Sequence, residues 1–193
     1  MYKNNNILCI KLDYLEGLFE GGYLEEKINE LDKVGIKLVK FDKAEIPMKS
    51  FDDLTSVILM AINNEIVLQY VNGILACGIY DVLKKVIIDI WTKLNKKTYK
   101  KVYSSGEIEE KEATFGISMN INENLNVSFK LSGDISDELK EKCLDDAFEL
   151  TKYLRENEVK SNYFNNYAKY DTHKQEWVLI DIKKEIEKLM SKQ

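Results

Sequence analysis

Two aspartates and a lysine near the C-terminus have types and a spacing that could support metal-assisted hydrolysis. Asp171 precedes Asp181 by ten positions, and Lys183 follows two positions later. Carboxylate oxygens are the ligands that Mg²⁺ prefers, and a bound metal ion activates water for attack. Lys183 would support that water. The three residues form the one candidate catalytic set that the spacing suggests.

This spacing resembles the signature of the PD-(D/E)xK nucleases, in which two carboxylates hold Mg²⁺ and a lysine assists the attacking water. The resemblance covers residues 171–183 and implies a metal-dependent nuclease. Tyr170 stands where the family has proline, and Asp171 falls in a predicted turn rather than on a strand. Asp181 is also well placed to cap a following helix, so a purely structural interpretation stays open.

Other groups that could perform catalysis are scarce in this chain. His173 is the only histidine and has no candidate nucleophile beside it, and Arg155 is the only arginine among 28 basic residues. The three cysteines are far apart and lie in apolar patterns, which predicts reduced, buried thiols rather than zinc ligands or a disulfide. We therefore expect no cofactor, and no metal site apart from the nuclease alternative.

A second group of residues has the character of a protein contact. Ile88 is an apolar side chain on the polar face of a predicted helix, and an aromatic cluster follows near the C-terminus. Tyrosine and tryptophan bury a large area at low entropic cost, so they are enriched at interfaces. The predicted partner-binding residues are Ile88, Tyr163, Tyr167, Tyr170 and Trp177.

Composition narrows the class of partner. The chain has 193 residues, of which 45% are hydrophobic, and a net charge of −5. These values are typical of a globular protein, and the acidic balance disfavours nucleic acid as a partner. The first residues contain too short an apolar run for a signal peptide, so we expect a cytoplasmic protein.

Residues 54–80 carry one charge, at Glu65, and are long enough to cross a bilayer. Polar residues interrupt the middle of this segment, and no unbroken apolar run reaches the roughly 18 residues typical of a membrane helix. Membrane association is therefore not expected, although a membrane-associated effector that uses residues 54–80 is a further alternative.

The elements that position these residues follow from hydrophobic periodicity. Residues 7–12 and 36–41 are predicted strands, and residues 23–33 form a predicted amphipathic helix between them. The two strands are either parallel in a βαβ unit or antiparallel. A buried helical pair, 51–63 and 66–94, comes next, with a break near Gly73 as one interpretation of its small residues.

The second half of the chain predicts two β-hairpins, each followed by a helix. Residues 115–131 alternate between apolar and polar side chains and form the clearest hairpin, and a second hairpin surrounds Asp171. The fold class is therefore α+β. We expect a single compact domain over residues 1–193, with two lobes as an alternative: 1–98, helix-rich, and 113–193, divided near 99–112.

Since no catalytic set is strong, the sequence favours recognition over catalysis. The predicted function is binding to another protein, with homo-oligomerisation also open. A bacterial or phage immunity or antitoxin-like inhibitor fits this description, as does an accessory subunit of a defence complex. The metal-dependent nuclease and the membrane-associated effector remain the alternatives.

Overall fold

The structure is a computed structural model that describes residues 8–43, 56–103, 105–122, 125–131, 135–157, 167–171 and 173–180. Within these ranges the helices are α1 (Tyr23–Asp32), α2 (Asn64–Val71), α3 (Cys77–Leu94) and α4 (Asp137–Glu156). The strands are β1 (Leu8–Tyr14), β2 (Ile36–Asp42), β3 (Ile58–Ile62), β4 (Thr98–Val102), β5 (Ile108–Glu112), β6 (Phe115–Asn122), β7 (Leu125–Leu131), β8 (Tyr167–Asp171) and β9 (Glu176–Ile180).

The first three elements confirm the predicted strand, helix and strand. β1 and β2 pair in parallel, from Leu8 opposite Ile36 to Tyr14 opposite Asp42, so the βαβ alternative is the one the chain adopts. Gly22 precedes α1 with a φ of 85°, a left-handed conformation that glycine reaches without steric cost. Acidic side chains at Glu25 and Glu26 fill the first turn, where the helix dipole favours negative charge.

The predicted helix at 51–63 is wrong for the residues the structure describes. Ile58–Ile62 forms β3, a central strand that pairs antiparallel with β1 and parallel with β6. A central strand of a mixed sheet can be apolar on both faces, so its sequence is a continuous hydrophobic run like that of a buried helix. The proposed buried helical pair is therefore a strand followed by helices.

The predicted long helix at 66–94 is divided into α2 and α3, which confirms the break near Gly73. Asn63 caps α2, because its Oδ1 accepts a hydrogen bond from the backbone N–H of Ile66 at 3.3 Å. Gly73, with a φ of 65°, follows the end of α2 and allows the chain to turn into α3. Among the described helices, none is both long and apolar enough to cross a membrane.

Both predicted hairpins are present. β6 and β7 pair antiparallel with Ile117 opposite Phe129, and β8 and β9 pair antiparallel with Tyr170 opposite Trp177. α4 follows the first hairpin, and Ser136 caps it by accepting a hydrogen bond from the N–H of Leu139. The terminal helix expected after the second hairpin lies outside the described residues.

Seven strands form one mixed sheet in the order β2-β1-β3-β6-β7-β8-β9. β3 lies before the polar segment 99–112 and β6 lies after it, so the sheet joins the two halves of the chain. The polar segment itself folds as a separate two-stranded sheet, β4 with β5. The organisation of residues 1–193 as a single domain remains a prediction.

The helices form one layer against one face of this sheet. α1 contacts β2, α2 contacts β1 and β6, and α4 contacts β6 and β9, while α3 joins α1 to α4. The single arginine, Arg155, donates hydrogen bonds to the Ile121 carbonyl and to Asn64 Oδ1, and so ties the end of α4 to β6 and α2. We call the other side of the sheet, which no described helix covers, the open face.

A buried lysine joins α1 to α3. Lys27 Nζ donates hydrogen bonds to Glu30 Oε1 at 2.7 Å and Asp89 Oδ2 at 2.8 Å, and Lys85 Nζ donates to the second oxygen of Glu30. Burial alone would lower the pKa of Lys27, but the hydrogen bonds to Asp89 and Glu30 outweigh it and hold that pKa above its ordinary value. The hydrogen bonds from Lys27 and Lys85 lower the pKa of Glu30.

We expect Lys27→Met to lower the free energy of unfolding by about 1 kcal/mol at pH 7, because Asp89 loses its ammonium partner while remaining partly exposed. Glu30, whose pKa is lowered mainly by its hydrogen bond with Lys27, stabilises the fold above its unfolded pKa and loses that contribution as the pH falls. The variant should therefore show a shallower loss of stability between about pH 5 and pH 3. Urea unfolding at several pH values measures both effects.

Lys85→Met is the matched control for this prediction. Lys85 contacts the same Glu30, but its side chain is 63% exposed, so its removal should change stability by less than about 0.5 kcal/mol. Equal losses for the two variants would show that burial of Lys27 adds nothing to the network.

Candidate functional site

Asp171, the one described member of the candidate nuclease set, has a structural role in its turn. It ends β8, and its Oδ1 accepts hydrogen bonds from the backbone N–H groups of His173 at 3.0 Å and Lys174 at 3.1 Å. The bond from Lys174 is the main cause of the lowered pKa of Asp171. His173 is exposed beside it. Asp181 and Lys183 lie outside the described residues.

No metal site is formed by the part of the chain that the structure describes, since it holds no group of three or more His, Cys, Asp or Glu side chains able to bind an ion. Burial raises the pKa of Cys143 to about 11, which leaves its thiol protonated near neutral pH. The described cysteines are free, and Cys77 is exposed.

The structure brings the predicted aromatic cluster together, but mainly as internal packing. Trp177 stacks edge-on against Phe129 and Tyr170, with ring centroids 4.9 and 5.2 Å apart, and its Nε1 donates to the Cys143 carbonyl at 2.8 Å. These contacts fasten α4 to β8 and β9. Tyr170 and Trp177 are half-buried, so only part of each ring is exposed to a partner.

Tyr167 is only 6% exposed, and burial raises its pKa. Its hydroxyl is buried and has no hydrogen-bond partner among the described residues. Ile88, on α3, is half-buried and packs against the hydrophobic core. Tyr163 lies outside the described residues. The predicted contact residues that are described therefore present little free surface.

Apolar side chains with a larger exposed fraction lie elsewhere. Two of them face each other on the β4–β5 ribbon, which consists of Thr98–Val102 paired with Ile108–Glu112. Val102 is 67% exposed and Ile108 is 63% exposed, and they are directly paired across the two strands. A cross-strand apolar pair normally packs against another layer. We call Val102 and Ile108 the apolar pair.

The β4–β5 ribbon pairs with no other described strand. Its register places Lys100 opposite Glu110 on the same side as the apolar pair, and Thr98 Oγ1 donates to Glu110 Oε1 at 2.6 Å. All the side chains on this side are exposed: Thr98, Lys100, Val102, Ile108, Glu110 and Glu112. The result is a surface with an apolar end and a charged base.

The other side of the ribbon carries contacts that stiffen it. Tyr103 donates a hydrogen bond to Glu109, which is the main cause of the raised pKa of Tyr103. The Lys101 ammonium lies 5.0 Å from the centre of the Tyr103 ring. Two-stranded hairpins are marginal on their own, so such contacts help to hold the apolar pair in place.

The base of the ribbon is fastened to the body of the protein. The Ala113 N–H donates to the Lys97 carbonyl at 2.7 Å, and Lys97 Nζ donates to the Leu18 carbonyl at 2.8 Å. Tyr99 packs against the core from the first strand of the ribbon. The base is therefore fixed while the apolar pair projects into solvent.

A cavity of about 170 Å³ lies at the glycine-rich turn between β1 and α1. Glu16, Glu20, Glu25 and Lys40 line it together with Gly21 and Gly22. Lys40 pairs with Glu25, which leaves the lining net negative and unsuited to phosphate. The cavity therefore does not form an anion site.

Sequence reasoning treated residues 99–112 as a boundary and missed the ribbon. A signal is present, because Val102 and Ile108 flank the turn formers Ser104, Ser105 and Gly106 at nearly equal distance. The charged residues that surround them hide this pattern, since they give neither strand an apolar face.

In comparisons with known proteins, the chain matches no family model, and neither a curated protein nor a solved structure matches it significantly.

Proposed function

We propose that this protein acts by binding another protein, and that the β4–β5 ribbon is its contact surface. The observation that carries the proposal is the apolar pair, two branched aliphatic side chains that face each other and are each more than 60% exposed. Exposed apolar groups rimmed by polar residues are typical of interaction sites. Lys100 and Glu112 supply such a rim.

The charges of the ribbon favour a protein partner over nucleic acid. β4 carries Lys100 and Lys101, and β5 carries Lys111 with three glutamates, so the ribbon strands have no net positive charge to attract phosphates. A protein surface with a small apolar pocket and mixed charges complements the ribbon. The apolar pair would supply affinity, and the charges around it would supply specificity.

An immunity or antitoxin-like inhibitor, or an accessory subunit of a defence complex, is the class of function we infer for such a protein. Its support is the small, acidic chain together with a projecting ribbon that could enter a cleft of a partner. No described feature favours the nuclease, because the carboxylate of Asp171 is occupied by backbone N–H groups of its own turn.

We expect the double change Val102→Ser and Ile108→Ser to weaken partner binding about tenfold or more, because apolar anchors at the centre of an interface dominate its affinity. A photo-reactive amino acid at position 108 of the tagged protein, used in its native host, would identify the partner by cross-linking. Binding of the purified pair by isothermal calorimetry then gives the affinity of each variant.

Ile74→Ser is the matched control, since Ile74 is exposed to a similar extent but lies between α2 and α3. It should leave the affinity unchanged. The proposal would be contradicted if the Val102→Ser, Ile108→Ser protein, the ribbon variant, bound the partner as tightly as the unmodified protein. It would also be contradicted if position 108 cross-linked to many proteins and enriched none of them. For an inhibitor, co-expression should also relieve the toxicity of the partner, and the ribbon variant should not.

A further inference from the structure

A second surface of this protein lies at the β2 edge of the sheet. β2 (Ile36–Asp42) is the first strand in the sheet order and pairs with β1 alone among the described strands. Among the described residues, no strand therefore occupies the backbone groups of β2 that are directed away from β1. Edge strands with free backbone groups are the sites at which extended peptides add to a sheet.

The side chains of β2 make this edge different on its two faces. Ile36 and Leu38 are buried under the helices, whereas Lys37, Val39 and Phe41 point to the open face and are exposed. Val39 is 42% exposed and Phe41 is 45% exposed. Val39 and Phe41 are two exposed apolar side chains at alternate positions of an edge strand. They could contact the side chains that an added strand presents at every second position.

Among the described side chains that share the open face with Val39 and Phe41, lysines outnumber carboxylates. Lys11 and Lys43 share one carboxylate, that of Asp13, at 2.8 and 3.5 Å. The Lys11 ammonium also lies 5.0 Å from the centre of the Phe41 ring. Lys37 makes no ion pair within the described residues. On this face the described charged side chains of β1, β2 and Lys43 are three lysines and one carboxylate, while Asp42 of β2 lies on the opposite face.

We propose that the β2 edge binds an extended, acidic segment of a partner protein, which adds as a further strand beside β2. Its backbone would pair with the outer edge of β2, its apolar side chains would cover Val39 and Phe41, and its carboxylates would contact Lys37 and Lys11. A second copy of this chain fits poorly, because two β2 edges would bring like charges together. The surface is separate from the β4–β5 ribbon and does not depend on it.

The probe for this site is an acetylated heptapeptide, Glu-Thr-Val-Thr-Val-Thr-Glu, whose glutamates and valines share one face of a strand, added to the isotopically labelled protein and followed by amide chemical shifts. We expect shifts centred on residues 36–42 and an affinity that falls with added salt. A peptide with lysine in place of glutamate should not bind. A glutamate–valine peptide N-methylated at alternate residues should not bind either, because it lacks the backbone donors of a strand.

Phe41→Ser and Lys37→Glu should each weaken binding of the probe about fivefold, since the first removes a half-covered apolar contact and the second reverses a charge. Val178→Ser is the matched control, because Val178 is similarly exposed on β9 at the opposite edge. The ribbon variant should also bind the probe normally. An intact amide spectrum confirms that each variant is folded.

Several results would overturn the proposal. Shifts centred away from β2, equal binding of the lysine or N-methylated peptide, or no binding of the glutamate peptide at millimolar concentration each exclude it. So would shifts of the same residues by a thymidine oligonucleotide but not by the peptide, which would assign the lysines to nucleic acid. A ribbon variant that no longer binds its partner should still bind the probe peptide. Failure of one proposal therefore does not imply failure of the other.

Discussion

Met60→Ser is expected to lower the free energy of unfolding by about 4 kcal/mol. Met60 is fully buried in β3, an interior strand of the seven-stranded sheet. Truncation of a buried methionine costs about 2–5 kcal/mol, and a buried hydroxyl without a partner adds to that cost. Urea unfolding followed by circular dichroism measures the difference.

The neighbouring Ala61→Ser is the control for this prediction. In a strand, successive side chains point to opposite faces, so Ala61 lies on the open face and is only half-buried. We expect it to cost less than about 1 kcal/mol. Similar costs at both positions would contradict the alternation of β3 and would favour the buried helix that the sequence predicts there.

Phe148→Ala is expected to lower the free energy of unfolding by about 3–5 kcal/mol. Phe148 on α4 is 1% exposed, and its ring centre lies 4.9 Å from that of Tyr70 on α2 and 5.1 Å from that of Tyr80 on α3. One side chain therefore joins three helices of the layer, and its removal leaves a cavity that all three must close.

Tyr153→Ala provides the matched control, because Tyr153 is an aromatic residue of the same helix but is 59% exposed. It should cost less than about 1 kcal/mol. Phe148→Leu should restore much of the loss by filling part of the space. A cost for Phe148→Ala no larger than that for Tyr153→Ala would show that the helical layer does not depend on this contact.

Much of the fold follows from local patterns. The hairpin at 115–131 is predicted because apolar and polar side chains alternate in sequence along both of its strands. The capping residue Ser136 and the apolar spacing of α4 are equally local. β3 is not predictable in this way, because its identity as a strand depends on pairing with β1 and β6, which are distant in sequence.

The candidate contact surface is harder to predict, because composition does not reveal which side chains become buried when the chain folds. The sequence predicts Tyr170 and Trp177 as partner contacts, yet packing against each other and against α4 buries much of their surface. Val102 and Ile108 look unremarkable among lysines and glutamates, yet the fold leaves them in solvent. The exposure of a side chain depends on how all the helices and strands pack together. Patterns in a single sequence carry little information about that packing.

The closing hydrogen bond from Ala113 to Lys97 has a consequence for how such a protein changes over time. Entry and exit of the ribbon are adjacent, so the segment Thr98–Glu112 can lengthen, shorten or be exchanged while the seven-stranded sheet keeps its register. The proposed contact surface and the main sheet therefore lie in different stretches of the sequence. Insertions, deletions or exchanges confined to residues 98–112 would change that surface and leave the pairing of the seven strands intact.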